Sequence, residues 1–355
     1  MGIMQKVNYC VIGSKKESSM KRLDIVCMGT ALVDCIIKGY DPNPVSATGF
    51  RASSCSLNVG GEAVNEAVTA ARLGMNSAIM CFLGEDAAGD MIMDYLHKNL
   101  VDTSSLLREK DHPTPVTTMF VNDDGSRKSI TNEAHCYNFH PEKYPEAFTC
   151  SEMMILGSLF RAPFNDPAII RKVCEEAVKA HTLIFADTKL PNFVKLTLDD
   201  IADSLPMVDF ITPNEDEAKY YTGREDPSEM ADVFLSYGVK NVIIKLGAKG
   251  FYFKNRKFSC QYPAYDIQAV DATGAGDSFV AAFASELLRR LEELGDSAVP
   301  ENLAKDTGAI PEEVLTDCLM RANACAAICT TEVGATTALK NRQHIVEFMD
   351  AHPQK

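Results

Sequence analysis

Short apolar runs alternate along this chain with longer segments of helical periodicity, and this alternation most constrains the fold. Each run has the length of a buried strand, and segments such as NEAVTAARLG and IIRKVCEEAVKAH separate the runs. A helix that connects two strands brings them side by side and parallel. The order therefore predicts an α/β fold, a mainly parallel sheet flanked by helices on both faces. The predicted strands are residues 23–29, 76–84, 153–160, 183–187, 208–213 and 241–247.

Two stretches interrupt this alternation. Residues 31–59 and residues 114–132 contain short alternating strands, and the second stretch has an Asp124–Gly125 pair that is typical of a hairpin turn. We predict that both stretches leave the main sheet and pair with one another as antiparallel strands of a small β lid. Because such a sheet has an exposed face and exposed edges, we also predict that it joins two copies into a homodimer.

Composition limits the classes of protein to which the chain can belong. Its 355 residues, 46% of them hydrophobic and 24% charged, are enough for one large α/β domain with an appendage. A formal net charge of −14 argues against a broad nucleic-acid-binding surface, and no apolar run is long enough to span a membrane. We expect a tail at residues 1–22, a folded domain over residues 23–350 and a surface loop at residues 295–311.

Cysteine usage bears on the compartment. The twelve cysteines are dispersed over the chain without a CxxC pair, and the N-terminus lacks the layout of a signal peptide. A disulfide framework is therefore not indicated, and the cytoplasm is the predicted location.

The segment DATGAGDSF places small residues and an acid at the start of an apolar-periodic helix. The first N–H groups of a helix are unpaired, and Gly274, Ala275 and Gly276 lack the bulk that would keep a phosphate from them. The segment therefore predicts an anion hole. Asp277 would repel a phosphate there unless it has chemical work, such as taking a proton from an attacking hydroxyl. The alternative is an ordinary helix start that Thr273 caps.

A second glycine-rich segment, NVGGEAVNEAV, leads into the first predicted helix. Its paired glycines, Gly60 and Gly61, allow a ligand to approach the backbone closely. Asn65 follows one helical turn later, and its amide offers both a donor and an acceptor to sugar hydroxyls. The alternative is a strand-to-helix turn in which the glycines serve packing alone.

A third segment, TPNEDEAKYYTG, has Asn214 and Glu217 at the spacing of a capping box. In that interpretation the two side chains only satisfy backbone N–H groups at a helix start. In the functional interpretation the acid holds the water shell of Mg²⁺ near a triphosphate. The sequence leaves both interpretations open.

Together these segments resemble the ribokinase-like (PfkB) family of carbohydrate kinases, over nearly all of residues 23–350. The segment NVGGEAVNEAV matches the N-terminal signature of that family, DATGAGD matches its C-terminal signature, and TPNEDE matches its Asn-x-x-Glu motif. A nucleotide-side LGxxG is matched by Gly247 and Gly250. The resemblance implies a three-layer ribokinase-like fold and ATP-dependent transfer of a phosphoryl group to a hydroxymethyl group of a sugar.

The resemblance also implies roles for individual residues. Asp277 matches the catalytic base, the turn before it matches the anion hole, and Asp34 in GTALVDCII matches the acid that binds substrate hydroxyls. Asp271 and the backbone of Thr273 match a site for a monovalent cation such as K⁺, whose other ligands would come from residues 332–338. The implied set for ATP and Mg²⁺ is Asn214, Glu217, Lys245, Gly247, Gly250 and Asn323.

The identity of the substrate is less constrained. Fructose- and acid-sugar-type members of the family have Asp-x-Asn-x-Arg after the strand that here ends in FADTKLP, so Lys189 and Pro191 replace the Asn and the Arg. Arg161, in the loop after another predicted strand, is a candidate for contact with a substrate carboxylate or phosphate, although exposed loop cations are usually only solvated.

Three alternatives remain beside a sugar kinase. A nucleoside kinase of the same fold fits the same motifs. A sugar-binding protein without turnover is disfavoured because Asp277 and its glycines are intact. A dinucleotide-dependent oxidoreductase would need G-x-G-x-x-G after the first strand, where CMGTALVD has a single glycine.

Overall fold

The computed structural model describes residues 23–39, 51–122, 126–132, 151–192, 194–293, 307 and 310–353. The predicted tail at residues 1–22, the Asp124–Gly125 turn and most of the predicted loop at residues 295–311 lie outside this part of the chain. The strands are β1 (Leu23–Met28), β2 (Leu32–Lys38), β3 (Ser54–Gly60), β4 (Ser77–Met80), β5 (Phe82–Gly84), β6 (Leu107–Glu109), β7 (Val116–Val121), β8 (Arg127–Thr131), β9 (Ser151–Leu159), β10 (Leu183–Thr188), β11 (Phe210–Ile211), β12 (Asn241–Lys245), β13 (Phe251–Asn255) and β14 (Ser259–Tyr262).

The main sheet contains eight of these strands in the order β14-β13-β12-β11-β10-β9-β1-β4. Within this order, all neighbouring strands from β12 across to β4 are parallel. The strands β13 and β14 add an antiparallel edge beside β12. Every residue of β4 and β10 is buried, as expected for parallel strands that are covered on both faces. The carboxyl ends of the parallel strands therefore meet along one edge of the sheet, where ligands bind in open α/β folds.

Helices cover both faces of this sheet. Apolar residues of α1, α6 and α7 join one buried cluster, those of α3 and α5 join a second, and alternate residues of β1 belong to each. The result is three layers, helix on sheet on helix. The helices are α1 (Glu62–Arg72), α2 (Ala87–Lys98), α3 (Pro167–Lys179), α4 (Glu215–Thr222), α5 (Pro227–Ser236), α6 (Ala275–Glu293), α7 (Glu312–Cys329) and α8 (Arg342–Ala351).

Local sequence signals set several helix starts. Asp166 and Asp226 accept hydrogen bonds from the first backbone N–H groups of α3 and α5, and each is followed by a proline at the first helical position. Asp86 caps α2 in the same way. None of the helices that the structure describes is both long enough and apolar enough to cross a membrane.

A second sheet has the strand order β3-β2-β7-β8. Its strands come from the two stretches that interrupt the sequence alternation. The pairs β2–β3 and β7–β8 are antiparallel, but the central pair β2–β7 is parallel, which differs from the predicted antiparallel pairing. The difference arises because the first strand of each antiparallel pair lies at the centre of the sheet, and these two strands, β2 and β7, run in the same direction.

The structure also corrects two predicted strands. Residues 76–84 form two strands rather than one, because β1 ends opposite Met80 and the chain then leaves the main sheet. Beyond that point β5 pairs with β6 in a separate small sheet. The strand predicted at residues 208–213 is reduced to Phe210–Ile211, and Pro213, which follows it closely, has no N–H to donate to a neighbouring strand.

Candidate active site

The N-terminus of α6 is held by a close approach that only glycine permits. Gly274 has φ +77°, and a Cβ there would lie 2.4 Å from the Cβ of Ala335 and 2.8 Å from its carbonyl oxygen. The turn before α6 is therefore packed directly against the loop at residues 332–338. This contact fixes where the first N–H groups of the helix point, and Ala275 and Gly276 form its first turn.

Asp277 occupies the first turn of α6 with 6% of its surface exposed. Its Oδ2 accepts a hydrogen bond of 2.7 Å from the side-chain amide of Asn65, on α1. This bond joins the two glycine-rich segments, which are 212 residues apart in sequence. The Asn65 amide group therefore orients the acid, a role that the sequence analysis did not assign to it.

Neighbouring atoms leave no room for a side chain at the two glycines before α1. Gly61 has φ +101°, and a Cβ there would lie 2.3 Å from the carbonyl oxygen of Thr30. A Cβ at Gly60 would lie 2.9 Å from Oδ2 of Asp34, so the substrate-binding acid inferred from the resemblance lies directly beside the paired glycines. Asp34 is on β2, opposite Asn58 of the neighbouring strand.

A cluster of charged residues that the sequence analysis did not assign surrounds Asp277. The ammonium group of Lys189 lies 3.5 Å from Asp277 Oδ1, 3.5 Å from Asp187 Oδ2 and 3.8 Å from Glu62 Oε1. Burial opposes the charge on Lys189, but the carboxylates of Asp277, Asp187 and Glu62 outweigh it and hold the pKa of the lysine well above its usual range. Lys189 is therefore a fixed positive charge at the centre of this cluster.

Glu66 completes the acidic side of the cluster. It lies on α1 with no exposed surface, and carboxylate oxygens of Glu66, Asp187 and Asp277 all lie within 4.8 Å of one another. Burial, reinforced by the charges of Asp277 and Asp187, raises the pKa of Glu66 well above its usual range.

Lys245 lies between this cluster and the start of α6. Its ammonium group forms an ion pair with Asp187 Oδ1, and a Cβ at Gly276 would lie 3.3 Å from Lys245 Nζ. The family resemblance assigns Lys245 to the nucleotide, and in the structure its ammonium group lies at the predicted anion hole. The two assignments are compatible, because a phosphate at the N-terminus of α6 would meet the ammonium group.

The capping box at α4 is present. Asn214 Oδ1 accepts from the Glu217 N–H, and Glu217 Oε2 accepts from the Asn214 N–H, both at 2.9 Å. The same Oε2 also accepts a bond of 2.8 Å from the Thr188 hydroxyl at the end of β10. Burial raises the pKa of Glu217. Glu217 thus caps α4 and is hydrogen-bonded to the strand that carries Asp187. These are the bonds that the structural interpretation predicts, and the role of Glu217 in Mg²⁺ binding stays a prediction.

The remaining nucleotide-side residues fall into two groups. Gly247 has φ +57°, and a Cβ there would have no atom within 4 Å, so a ligand can reach the backbone at this position. Gly250 instead serves packing, since a Cβ would lie 1.9 Å from the carbonyl oxygen of Tyr262. Asn323, on α7, donates a hydrogen bond of 2.9 Å to the Pro263 carbonyl. Both Gly250 and Asn323 therefore contact the segment at the end of β14 and just after it.

The predicted cation site is a hydrogen-bonded turn. Asp271 Oδ1 accepts from the Thr273 N–H at 3.0 Å and from its hydroxyl at 2.6 Å, and Asp271 Oδ2 accepts from the Gly334 N–H at 3.1 Å. The last bond brings the loop at residues 332–338 to Asp271, as the K⁺ hypothesis requires. The same bonds are those expected of a purely structural aspartate, and K⁺ binding remains a prediction.

Arg161 contributes to loop structure. Its Nε donates to the carbonyl oxygen of Leu190 at 2.6 Å, which ties the loop after β9 to the loop after β10. The predicted contact with an acidic substrate group is not tested by this bond, which employs only one of the donors of the guanidinium group.

Two signals in the sequence could have found the missing residues. Asp187 ends a predicted parallel strand, and the carboxyl ends of such strands are where ligands bind. Glu66 lies one helical turn from both Ala63 and Ala70 on α1, a spacing that places an acid beside apolar residues on one side of the helix. Lys189 stands where the Asp-x-Asn-x-Arg motif has its Asn, but a lysine that follows a strand is usually solvated, so its burial was not expected.

Comparison with known proteins places the chain among characterised sequences. It matches the family described as pfkB family carbohydrate kinase over residues 22–342. Ribokinase of Staphylococcus aureus is 28% identical over 243 residues, which cover 67% of this chain and 77% of the relative. Probable fructokinase-5 of Arabidopsis thaliana is 28% identical over 327 residues, which cover 89% and 94%.

Solved structures give the same result for the fold. Ribokinase of Arabidopsis thaliana, solved as a complex with ribose and ATP, superposes with a TM-score of 0.74 at 22% identity and covers 92% of this chain and 99% of that chain. The ribokinase-like fold predicted from the sequence, a mostly parallel sheet flanked by helices, is confirmed.

Proposed function

Since this chain belongs to the pfkB family of carbohydrate kinases, we propose that it transfers the terminal phosphoryl group of ATP to a hydroxymethyl group of a sugar. Asp277 is the general base of the proposed reaction, and the turn of residues 274–276 is its anion hole. One observation carries the proposal: a buried acid in the first turn of α6 is oriented by Asn65 beside the backbone N–H groups of that turn.

Asp277 acts on the acceptor hydroxyl. Phosphoryl transfer depends mainly on alignment and on neutralisation of charge, and the base has to point at the hydroxyl as the bond to phosphorus forms. The Asn65 amide holds Oδ2 at 2.7 Å, which leaves Oδ1, on the side of Lys189, to accept the proton. Removal of that proton makes the oxygen a better nucleophile.

The start of α6 neutralises the transferring group. Backbone N–H groups at a helix start bind anions, and the Lys245 ammonium group beside Gly276 adds a full positive charge. The rest of the nucleotide lies against the exposed backbone of Gly247 in this proposal. Asn214, Gly250 and Asn323 line the nucleotide site around it.

Mg²⁺ fits the carboxylate chemistry near this site. Glu217 offers hard oxygen ligands, and because its hydrogen bonds to Thr188 and Asn214 both use Oε2, Oε1 would remain to hold a water of the ion's hydration shell. The ion supplies neutralisation of phosphate charge when bound. Asp271 and the Thr273 backbone are the proposed K⁺ ligands, next to the turn whose N–H groups bind the anion.

The acceptor lies between the main sheet and the second sheet in this proposal. Asp34 and the backbone of Gly60 and Gly61 bind its hydroxyls, and the second sheet acts as a lid that excludes water, the competing nucleophile. Arg161 is proposed as a contact for a polar group of the substrate at the mouth of the site. Two copies of the chain associate through the second sheet.

An assay of ADP release tests the function and sorts the acceptors. Purified protein with ATP and Mg²⁺ is offered pentoses, hexoses, keto-deoxy acids, sugar phosphates and nucleosides, each with and without K⁺. We expect acceptor-dependent ADP release with a neutral sugar, and release with nucleosides alone would assign the chain to nucleoside kinases instead. Binding of a sugar by calorimetry without ADP release from any acceptor would contradict catalysis.

A further inference from the structure

We propose that Glu66 is a positioning residue that remains a neutral carboxylic acid and shares its proton with the carboxylates of Asp187 and Asp277. In this arrangement Asp277 is the ionised member of the group, ready to act on the acceptor. The inference rests on the proposed function, because it assigns Glu66 a part in the work of Asp277.

The burial of Glu66 is the first observation. Its side chain has no exposed surface, and neither Oε1 nor Oε2 has a hydrogen-bond partner among the described residues. The backbone of β9 closes over it, since a Cβ at Gly157 would lie 2.7 Å from Oε2. A buried carboxylate without donors is strongly disfavoured, whereas a carboxylic acid carries its own donor and needs only an acceptor.

An acceptor is available beside it. Asp187 Oδ2 is also buried and has no hydrogen-bond partner in the described part of the chain, although it lies 3.5 Å from the ammonium group of Lys189. Oxygens of Glu66, Asp187 and Asp277 lie within 4.8 Å of one another, so the two aspartates are the neighbouring acceptors for a proton on Glu66. A proton on Glu66 would give this carboxyl a hydrogen-bond donor, and the same proton would give Asp187 Oδ2 a donor from which to accept.

The charges that face Glu66 lead to the same assignment. Asp277 faces it from α6 and Asp187 from β10, while Glu62 and Lys189 border the cluster. Cys27, on β1, is a further titratable neighbour of Glu66, and burial raises the pKa of its thiol well above the usual range. Lys189 and Lys245 already face three carboxylates, those of Asp277, Asp187 and Glu62, so an ionised Glu66 would set four negative charges against two positive ones.

A neutral Glu66 has a catalytic consequence. When neighbouring acids compete for protons, the one with the most buried environment takes the proton and the other stays ionised, so their roles separate. Glu66 is fully buried, whereas Asp277 has the Asn65 amide and the Lys189 ammonium group to stabilise its charge. Glu66 therefore keeps Asp277 available as a base and limits the negative charge that the phosphates of ATP must approach.

Two substitutions and one spectrum test the inference. Glu66→Gln keeps the shape and a hydrogen-bond donor, so we expect a kcat within about threefold of the parent protein and an unchanged pH profile. Glu66→Leu removes the donor, so we expect roughly a tenfold lower kcat with little change in the KM for ATP. Infrared difference spectra between parent and Glu66→Gln at neutral pH should show the carbonyl band of a protonated carboxylic acid in the parent alone.

The outcomes separate this inference from the proposed function. The infrared band reports the proton on Glu66 whether or not Asp277 is the base, so its absence overturns the inference and leaves the proposed function intact. Equal impairment of Glu66→Gln and Glu66→Leu also overturns it, because that result assigns Glu66 a negative charge, as in cation binding. Full activity of Glu66→Leu refutes the positioning role, and if that variant fails to fold, the spectrum and Glu66→Gln still decide.

Discussion

At the scale of single residues, Asp277 carries the sharpest prediction. Asp277→Asn removes the basic oxygen but keeps an acceptor for the Asn65 amide, so the fold and nucleotide binding should persist. We expect kcat to fall by roughly 10²- to 10⁴-fold, the range that loss of a general base causes. Steady-state kinetics with ATP titration measure the change, and Glu229→Gln, at an exposed acid in the first turn of α5, is the matched control. A variant within a few-fold of the parent would remove Asp277 from the role of base.

Glu66 predicts a dependence of stability on pH. Its pKa is raised in the folded chain, so above the usual glutamate value the folded state keeps a proton that the unfolded state has lost. The free energy of unfolding of the parent should then fall with rising pH, by up to about 1.4 kcal/mol per pH unit, relative to Glu66→Gln. Urea unfolding of both proteins between about pH 5 and pH 8 measures the difference. A constant difference over that range would contradict a protonated Glu66, and Glu229→Gln should parallel the parent.

Sequence motifs predicted Asp277 and Asn65, but not the bond between them or the cluster around them. Both residues lie in glycine-rich segments, and the bare backbone there marked them as candidates. The burial of Glu66 and the ion pairs of Lys189 arise from contacts among α1, β9 and β10, which meet only in the folded chain. Their identities in the sequence are those of ordinary charged residues, and only burial distinguishes them.

At the scale of elements, the turn before α6 depends on Gly274. An alanine there would be strained at φ +77° and would also collide with the backbone of Ala335, so the loop at residues 332–338 would have to move. We expect Gly274→Ala to lower kcat strongly because the anion-binding N–H groups are displaced. Gly223→Ala is the matched control, since Gly223 has φ +66° with open space around it, and should cost about 1 kcal/mol of stability without loss of turnover. Equal kcat values for the two variants would contradict the proposed anion hole.

The same turn carries the K⁺ prediction. A bound cation would neutralise Asp271 and hold the turn rigid, so its effect should fall on the transfer step. Replacing K⁺ with a bulky organic cation at constant ionic strength should lower kcat more than it changes the KM for the sugar, and Asp271→Ala should abolish that dependence. If turnover of the parent is indifferent to K⁺, the bonds of Asp271 to Thr273 and Gly334 are its whole role.

Element prediction succeeded where periodicity was strong and failed where partners decided the outcome. The buried parallel strands and α1 were evident, because apolar runs and helical periods are local properties. The break between β4 and β5 follows from where β1 ends, and the parallel pairing of β2 with β7 follows from how two hairpins meet. Neither is encoded within the segment concerned.

At the scale of the whole molecule, one face of the second sheet carries a row of side chains with an exposed apolar residue at each end. Leu57, Cys35, Thr118 and Ile130 lie opposite one another across β3, β2, β7 and β8, so they point to the same side. The outer members are Leu57, 58% exposed, and Ile130, 68% exposed. Asp34 belongs to the opposite face, because successive residues of a strand alternate. One face thus carries Asp34, the proposed substrate-binding acid, and the opposite face carries the exposed side chains of Leu57 and Ile130.

This division predicts a homodimer that the second sheet holds together. Large exposed apolar side chains in one row are stabilised when a second copy buries them, and edge strands such as β3 and β8 are covered in the same step. Light scattering of the parent at micromolar concentration should give a dimer, and the double variant Leu57→Glu, Ile130→Glu should give a monomer. Val178→Glu, at an exposed apolar position on α3, is the control and should remain dimeric. A monomeric parent protein would refute the interface, because the row would then be exposed without a partner.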